Sequence, residues 1–112
     1  MERLRTELKA QAWIRRAQAR GLMATVVRKG DADAGALFLK FNRFKAGCEV
    51  FAGATAADGS PAWIRSTGPA PVPERDADAY LARQAGYDPD LWVVEIEDPK
   101  GQFVFDEPVL KV

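Results

Sequence analysis

The chain has 112 residues, of which 47% are apolar and 29% charged, and it contains one cysteine and no histidine. This composition is typical of one folded domain, and it excludes a disordered chain, an internal disulfide and catalytic or zinc sites that depend on histidine. The net charge is zero, yet residues 1–29 carry eight basic and two acidic side chains (+6), whereas residues 74–112 carry four basic and ten acidic ones (−6). Since a neutral chain attracts nucleic acid weakly over long range, we expect the two halves to neutralise each other within the domain or between subunits.

Residues 3–20 are predicted to form the first helix, because good helix formers fill them without glycine or proline and Gly21 follows. At about 100° per residue this helix shows two apolar stripes, one of Ala10, Trp13, Ile14 and Ala17 and another of Leu4, Leu8, Ala12 and Ala19. Between them runs a polar row of Glu7, Gln11 and Gln18, with Arg15 at its margin. The pattern indicates either a helix that packs on two sides or a polar row at the edge of one interface.

A narrow basic stripe occupies another side of the same helix. It consists of Arg5, Lys9, Arg16 and Arg20, which are cations able to contact phosphate groups. No aromatic platform accompanies them, since Trp13 lies off the stripe, so stacking on single-stranded nucleic acid is unsupported. A solvated basic face is the favoured interpretation, and weak nucleic-acid binding is the alternative.

Four predicted strands follow, and their β-branched or alternating sequences and short turns suggest an antiparallel meander. They cover residues 23–28, 36–44, 48–52 and 62–65. Within the third strand Cys48 has the parity of Val50, which predicts a small core residue and not a nucleophile.

The turn after the first strand, Asp31-Ala32-Asp33-Ala34-Gly35, begins like a calcium-binding loop. It lacks the third oxygen ligand before the glycine, and Asn42 stands where the bidentate glutamate of such a loop belongs. We therefore interpret it as a turn in which aspartate side chains accept hydrogen bonds from nearby backbone amides.

Residues 68–73 form a proline-rich extended linker into a second predicted helix, with Pro73 in its first turn and Gly86 at its end. Acidic residues near its start favour the helix N-terminus electrostatically. Its expected buried face consists of Ala77, Tyr80, Leu81 and Ala85.

Residues 88–98 contain the clearest strand of the chain and its densest group of acidic residues. Alternation places Trp92, Val94 and Ile96 on one face. It places Glu95 and Glu97 on the other face, which we expect to be the wet side of a buried strand. A turn at residues 98–101 is predicted to form a hairpin with residues 102–106.

A metal-dependent enzyme is the third possibility that this acidic stretch raises. Pro89-Asp90 followed by Glu95 is similar to a nuclease layout in which carboxylates hold a divalent metal, but Glu97 stands where that layout needs lysine. Carboxylates that could still gather around Mg²⁺ or Ca²⁺ are those of Asp88, Asp90, Glu95, Glu97, Asp98, Asp106 and Glu107.

Several blocks of the sequence carry a family resemblance. They are Arg3-Leu4-Arg5, Glu7-Leu8 and Gln11-Ala12 in the first helix, Val26-Val27-Arg28, and residues 30–36, 78–84 and 88–98. With these blocks the chain resembles DUF1491 (domain of unknown function 1491), an uncharacterised family of small alphaproteobacterial proteins. The resemblance spans nearly the full length, although residues 52–67 carry little of it. It implies a single cytoplasmic domain and brings no activity, cofactor or catalytic residue with it.

The sequence thus predicts an α+β fold in one domain over residues 1–112: a mainly antiparallel sheet of five to six strands with two helices, in the order α-β-β-β-β-α-β-β. We expect a cytoplasmic protein without membrane span or cofactor, more plausibly a non-enzymatic binding domain than an enzyme, that self-associates or binds another protein. The alternatives are a weak nucleic-acid binder and a carboxylate-based, divalent-metal-dependent enzyme. Candidate binding residues are Glu7, Gln11 and Arg15 of the polar row and Arg5, Lys9, Arg16 and Arg20 of the basic stripe.

Overall fold

The protein folds as two helices and a six-stranded mixed sheet, seen in a computed structural model that describes residues 5–111. The predicted order of elements is confirmed. The elements are α1 (Thr6–Ala19), β1 (Met23–Arg28), β2 (Leu37–Asn42), a 3₁₀ turn (Phe44–Ala46), β3 (Cys48–Thr55), β4 (Pro61–Arg65), α2 (Glu74–Tyr87), β5 (Trp92–Glu97) and β6 (Val109–Leu110).

The sheet order is β1-β5-β2-β3-β4-β6, so the predicted meander is correct for β2-β3-β4 and wrong for β1. The helix α2 carries the chain from β4 back across the sheet, and β5 inserts between β1 and β2. As a result β5 is parallel to β2 and antiparallel to β1, and β6 is parallel to β4. The sheet is therefore mixed, because a helical crossover allows the parallel pairing that a tight hairpin cannot make.

The central position of β5 follows from its composition. Its two faces both carry buried apolar side chains, with Trp92, Val94 and Ile96 on one and Leu91 and Val93 on the other. A strand that is apolar on both faces is stabilised most when layers cover both sides of the sheet. Within the stretch 88–98, β5 is thus an interior strand of the fold.

Two apolar layers lie on opposite faces of the sheet. On one face α1 packs on β1, β5 and β2, and its Ala10 and Ala17 are fully buried. On the other face Ala77 and Leu81 of α2 pack with Phe38, Val50, Leu91 and Val93. Helix α2 buries the face predicted for it, and α1 buries the stripe of Ala10, Trp13, Ile14 and Ala17, the first of its two predicted apolar stripes.

The predicted wet face of β5 is the one that α2 partly covers, which corrects that expectation. Glu95 is only 17% exposed at its side chain, because Lys40 of β2 lies beside it at 3.2 Å. The glutamate is therefore a partly buried ion-pair partner and not a fully solvated charge.

The end of the chain also differs from the prediction. The turn at Asp98 forms, with the Gly101 N–H donating to the Asp98 carbonyl at 3.2 Å, but residues 102–106 pair with no strand in the described part of the chain. Instead the buried Asp98 carboxylate accepts hydrogen bonds from the backbone N–H groups of Gln102 and Phe103, at 2.8 and 2.9 Å. Hydrogen bonds to the Asp98 side chain therefore take the place of the backbone hydrogen bonds of the predicted hairpin. The last strand of the chain is β6.

Several element ends are shifted. Helix α1 begins at Thr6, and residues 3 and 4, which the prediction included in this helix, lie outside the described range. Helix α2 continues through Gly86 and ends at Tyr87. The second strand ends at Asn42, because the 3₁₀ turn takes up Phe44 with a φ of 55°. The third strand is longer than predicted.

The loop between β1 and β2 is the turn that the aspartates predicted. The Asp31 carboxylate accepts from the N–H groups of Asp33 and Ala34 at 3.0 and 2.8 Å. Gly35 closes the loop with a φ of +97°, and a Cβ there would overlap the Asp90 carbonyl oxygen. Only glycine satisfies both requirements.

We expect Gly35→Ala to lower the free energy of unfolding by about 2 kcal/mol, because it combines left-handed backbone strain with a backbone clash. Gly59 is a matched control: its φ is +88°, yet nothing lies within 4 Å of the added Cβ. Gly59→Ala should cost about 1 kcal/mol. Urea unfolding of both variants measures the difference, and equal destabilisation would show that the approach of Asp90 is unimportant.

Among the helices of the described residues, none is long and apolar enough to cross a membrane.

Candidate functional site

The contacts of Trp13 show which side of α1 faces each edge of the sheet. Its ring centroid lies 5.1 Å from that of Trp63 on β4 and 5.5 Å from that of Phe103. Ala10, fully buried, marks the line of the helix that faces the sheet. Because β4 and β1 lie toward opposite edges of the sheet, the Trp13 side of α1 faces β4 and the other side faces β1.

The polar row lies on the β1 side of α1. At about 100° per residue, Glu7, Gln11 and Arg15 lie about 60°, 100° and 140° from Ala10, away from Trp13. Glu7 is half-buried, and Gln11 and Arg15 are exposed. Between residues 5 and 111, neither Glu7 nor Arg15 forms an ion pair. The row therefore borders the edge strand of the sheet and not either of the two clefts described below.

The second apolar stripe of α1 does not pack within the described chain. Leu8 is 38% exposed, Ala12 is half-buried and Ala19 is exposed, while Leu4 lies outside the described residues. The intramolecular core uses only the first stripe. The outer side of α1 thus combines exposed apolar and polar groups.

The basic stripe lies on the Trp13 side, and its members have different surroundings. Arg5 forms an ion pair with Asp33 at 3.5 Å. The Arg20 guanidinium lies 4.8 Å from the centroid of the Phe103 ring. Lys9 forms no ion pair with any residue in the described range. These partners reduce the positive charge that the stripe can offer to phosphates.

Arg16 is held by the acidic end of the chain. Its guanidinium contacts the carboxylates of Asp106 and Glu107 at 3.2 and 3.3 Å. It also stacks on Trp13, with 4.0 Å between its central carbon and the ring centroid. The basic first part and the acidic last part of the sequence therefore neutralise each other here, as their opposite charges predicted.

A cleft of about 570 Å³, called here the α1 cleft, lies between the Trp13 side of α1 and the sheet. Its volume is that of ordinary small-ligand sites. Its lining includes the side chains of Lys9, Trp13, Arg16, Trp63 and Glu107 and the bare backbone of Gly53.

The cleft exists because β3 lacks a side chain where the sheet emerges from under α1. Phe51 of β3 fills the core on this face, and Gly53 is the next residue with the same orientation. An added Cβ at Gly53 would meet nothing nearer than 3.9 Å. The space between Leu37 and Trp63 is therefore left open.

A second cleft, of about 360 Å³, lies on the α2 face of the sheet and contains what we call the lysine cluster. Lys40 is 5% exposed, and its ammonium group contacts Glu74 and Asp78 at 2.7 Å and Glu95 at 3.2 Å. Asn42 donates to Glu74 and Glu95. One buried cation thus faces three carboxylates.

The lysine cluster is poorly suited to nucleophilic or base catalysis. Burial lowers the pKa of Lys40, but hydrogen bonds to Asp78 and Glu74 and the charge of Glu95 outweigh burial and raise the pKa above its ordinary value. A nucleophilic lysine needs the opposite shift. The cluster therefore acts as a structural ion-pair network.

The lone thiol is equally unreactive. Cys48 is fully buried in the α2-face core, as its parity with Val50 predicted. Burial raises its pKa, against the opposing influence of Lys40. A thiol that stays protonated is a packing group and not a nucleophile.

The carboxylates of residues 88–98 have different partners and do not converge on one site. Asp88 accepts from the N–H groups of Ala36 and Asp90, at 3.1 and 3.0 Å, and Asp98 pairs with Arg43 at 3.1 Å. In residues 5–111, no group of three or more acidic or thiol side chains is placed to hold a metal ion.

Sequence reasoning missed three features of these sites. Lys40 inside an otherwise apolar central strand was the available signal for a buried ion pair. Gly53 inside a strand was the available signal for a close approach or an opening. The charge asymmetry predicted that the two ends of the chain would neutralise each other, but it did not indicate that Glu107 in particular would meet Arg16, 91 positions away.

Comparison with known proteins identifies the family. The profile described as "Protein of unknown function (DUF1491)" matches residues 4–106. No curated protein matches the chain. A crystal structure of a DUF1491 family protein from Caulobacter crescentus CB15 is 44% identical, with a TM-score of 0.84 over 96% of this chain and all of that one.

Two solution structures are also similar. An NMR structure of a DUF1491 family protein from Caulobacter crescentus CB15 is 43% identical, with a TM-score of 0.80 over 99% of this chain and all of that one. A protein from A. tumefaciens is 30% identical, with a TM-score of 0.74 over 87% of each chain. The chain belongs to the DUF1491 family.

Proposed function

We propose that the protein is a non-enzymatic interaction domain of the cytoplasm that self-associates through β1 as a two-fold dimer. The observation that carries the proposal is the state of β1, the longer of the two edge strands of the sheet. An edge strand has unpaired N–H and C=O groups along one side, and these pair readily with another strand.

The side chains of β1 are unusually apolar for an exposed edge. Met23 is 66% exposed, Val27 53% and Val26 39%. Charge appears only at the end of the strand, with Arg28 and Lys29, and a bulge interrupts the register between Val26 and Arg28. Residues 23–27 therefore lack the charges that keep most sheet edges from pairing.

The orientation of these side chains makes the edge complementary to itself. Ala24 and Val26 point to the α1 face, opposite Ile96 and Val94, and Met23 and Thr25 point to the α2 face. Val27 also lies on the α2 face, where it lines the second cleft.

Consider an antiparallel pairing of two copies centred on Thr25. Met23 then lies opposite Val27 of the other copy, and Ala24 lies opposite Val26, always on the same face. Each exposed apolar side chain of the edge gains an apolar cross-strand neighbour, which favours a second copy of this chain as the partner.

The polar row of α1 supports the same arrangement. Because α1 packs on β1, β5 and β2, joining two sheets at β1 brings the two α1 helices side by side and antiparallel. The row has Glu7 at one end, Gln11 in the middle and Arg15 at the other. Antiparallel copies can therefore pair Glu7 of one with Arg15 of the other, groups for which the described chain has no ion-pair partner.

The non-enzymatic part of the proposal is supported by the chemistry of the titratable groups. Lys40 is held protonated by three carboxylates, and Cys48 is buried with a raised pKa. A single reduced, buried cysteine also favours the cytoplasm.

We expect Thr25→Cys to form a disulfide-linked dimer under mild oxidation, because a pairing centred on residue 25 places its two copies directly opposite, within disulfide reach. Val27→Cys is the matched control. In the same pairing, position 27 of one copy lies opposite position 23 of the other, so the two positions 27 are offset by four residues. That offset is about 13 Å, which is too far for a disulfide. Non-reducing electrophoresis measures both, and the buried Cys48 does not compete.

Light scattering during size-exclusion chromatography gives the second measurement. The unmodified protein should dimerise as its concentration rises, and Val27→Asp should remain monomeric. Val104→Asp changes a still more exposed valine outside β1, 67% against 53% for Val27, and should leave the dimer intact. A monomer at all concentrations, or equal cross-linking of both cysteine variants, would refute the proposal.

A further inference from the structure

We propose that the α1 cleft binds a small aromatic carboxylate, with the aromatic body over Gly53 and the carboxylate at Lys9. The cleft is on the Trp13 side of α1, opposite the polar row and β1. Dimerisation through β1 would leave it open, so this inference does not depend on the proposed dimer.

The lower part of the cleft fits a flat apolar body. Its floor at Gly53 has no side chain, and Leu37 and Trp63 border that floor. Trp13 and Trp63 meet edge to face, with an interplanar angle of 87°, so their rings form a corner; the two side chains are only 5% and 6% exposed, because Phe105 also packs on both, so a ligand reaches only the ring parts that border the cleft. Aromatic rings bind in such corners with edge-to-face and offset contacts, which favours an aromatic ligand over a flexible chain.

The upper rim selects a negative charge. The charged side chains that line it are Lys9, Arg16 and Glu107, and Arg16 pairs with Glu107 and with Asp106, which is not part of the lining. Lys9 forms no ion pair within residues 5–111, so the charged lining carries one more positive than negative charge, beside the aromatic corner. An ammonium group at the mouth of an apolar cleft is complementary to a single carboxylate.

The size of the cleft limits the ligand. A volume of about 570 Å³ accommodates one or two fused rings with a short substituent. The Glu107 carboxylate at the rim opposes a second negative charge on the ligand. A monocarboxylate with a compact aromatic body therefore fits better than a dicarboxylate or a phosphate ester.

The test uses 2-naphthoate as the carboxylate, 2-naphthamide as its uncharged counterpart and 2-naphthylmethylamine as its cationic one. Calorimetric titration into the full chain should give saturable binding of the naphthoate in the millimolar range or tighter. The amide should bind about tenfold more weakly, equal to about 1.4 kcal/mol, and the amine more weakly still. In ¹⁵N NMR spectra the shifts should concentrate at residues 53–54 and at the indole N–H groups of Trp13 and Trp63.

Two variants locate the site. Gly53→Leu fills the floor, and because its Cβ meets nothing nearer than 3.9 Å, it should fold normally and abolish binding of all three compounds. Lys9→Gln leaves the floor unchanged, so it should weaken the naphthoate about tenfold and leave the amide unaffected. Lys29→Gln, a change of the same type at an exposed site outside the cleft, should alter neither.

The proposal is wrong if the naphthoate does not saturate, if it binds Gly53→Leu as well as the unmodified protein, or if Lys9→Gln weakens amide and acid equally. The Lys9 variant decides the question even if the leucine variant fails to fold. None of these outcomes bears on the β1 dimer, which is tested separately by cross-linking at Thr25.

Discussion

Lys40→Met is expected to lower the free energy of unfolding by about 3 kcal/mol, because it leaves buried carboxylate charge without its cation. Methionine has nearly the same length and packs equally well, so the loss reports the charge and not a cavity. Glu95, 17% exposed, cannot turn to water freely. Glu74 and Asp78 are about half-exposed and can, which keeps the effect at the lower end of the range for broken buried ion pairs.

The control for Lys40 is Lys45, which is exposed in the 3₁₀ turn. Lys45→Met should change stability by less than about 0.5 kcal/mol. Adding Glu95→Gln to Lys40→Met should recover part of the loss, and the double-mutant cycle gives the coupling energy. A Lys40→Met variant as stable as the unmodified protein would mean that water, and not the lysine, balances the three carboxylates.

The pH dependence of this effect follows from the direction of the shift. The folded pKa of Lys40 is raised above its unfolded value, so its contribution is fully present below about pH 10 and is lost only as the pH rises through the folded pKa. The difference between the unmodified protein and Lys40→Met should therefore be the same at about pH 6 and pH 9. Urea unfolding at both pH values measures it.

Asp98→Ala should lower the free energy of unfolding by about 4 kcal/mol, because it leaves buried donors without an acceptor. The carboxylate is fully buried and accepts from the N–H groups of Gln102 and Phe103 and from Arg43. These bonds hold the segment that carries Phe103 into the core against Trp13. Loss of the Asp98 carboxylate should therefore also expose Trp13 to water, which would shift the tryptophan fluorescence emission to longer wavelength.

The control for Asp98 is Asp106, a carboxylate of the same segment that is 79% exposed. Asp106→Ala removes only a surface contact to Arg16 and should cost less than about 1 kcal/mol. If both alanine variants unfold at the same urea concentration, Asp98 does not anchor the segment.

Acid titration gives an independent check on Asp98. Burial alone would raise its pKa, but the N–H groups of Phe103 and Gln102 and the Arg43 guanidinium lower it below the ordinary value. Its stabilising contribution is therefore present above about pH 4 and is lost as the pH falls through the lower folded pKa. The stability gap between the unmodified protein and Asp98→Asn should narrow as the pH is lowered below about 4.

Local patterns predicted most of the elements. Helix formers and Gly21 located α1, β-branched residues located β1, and proline with acidic residues located the start of α2. The final hairpin, which was predicted from the turn at residues 98–101, is wrong because the Asp98 side chain accepts hydrogen bonds from the N–H groups of Gln102 and Phe103 that a hairpin would have used.

The candidate site was predictable only in part. Periodicity identified the basic stripe and the polar row of α1, and it identified which apolar stripe contains Trp13. Periodicity could not distinguish the surroundings of these two residues: Lys9 lines the α1 cleft, whereas Arg5 forms an ion pair with Asp33 outside it. The ion pairs of Lys40 were not predicted, since its three partners come from α2 and β5.

By itself the sequence determined the composition of the layers, the order of the elements and the family, because these depend on local periodicity and on contiguous motifs. The tertiary structure decided that β5 lies between β1 and β2, that β1 is therefore an edge strand, and that Gly53 opens a cleft beside Trp63. Each of these depends on contacts between residues far apart in the chain. Such contacts are selected by the burial of whole faces and by the pairing of buried charges, which no short stretch of sequence specifies.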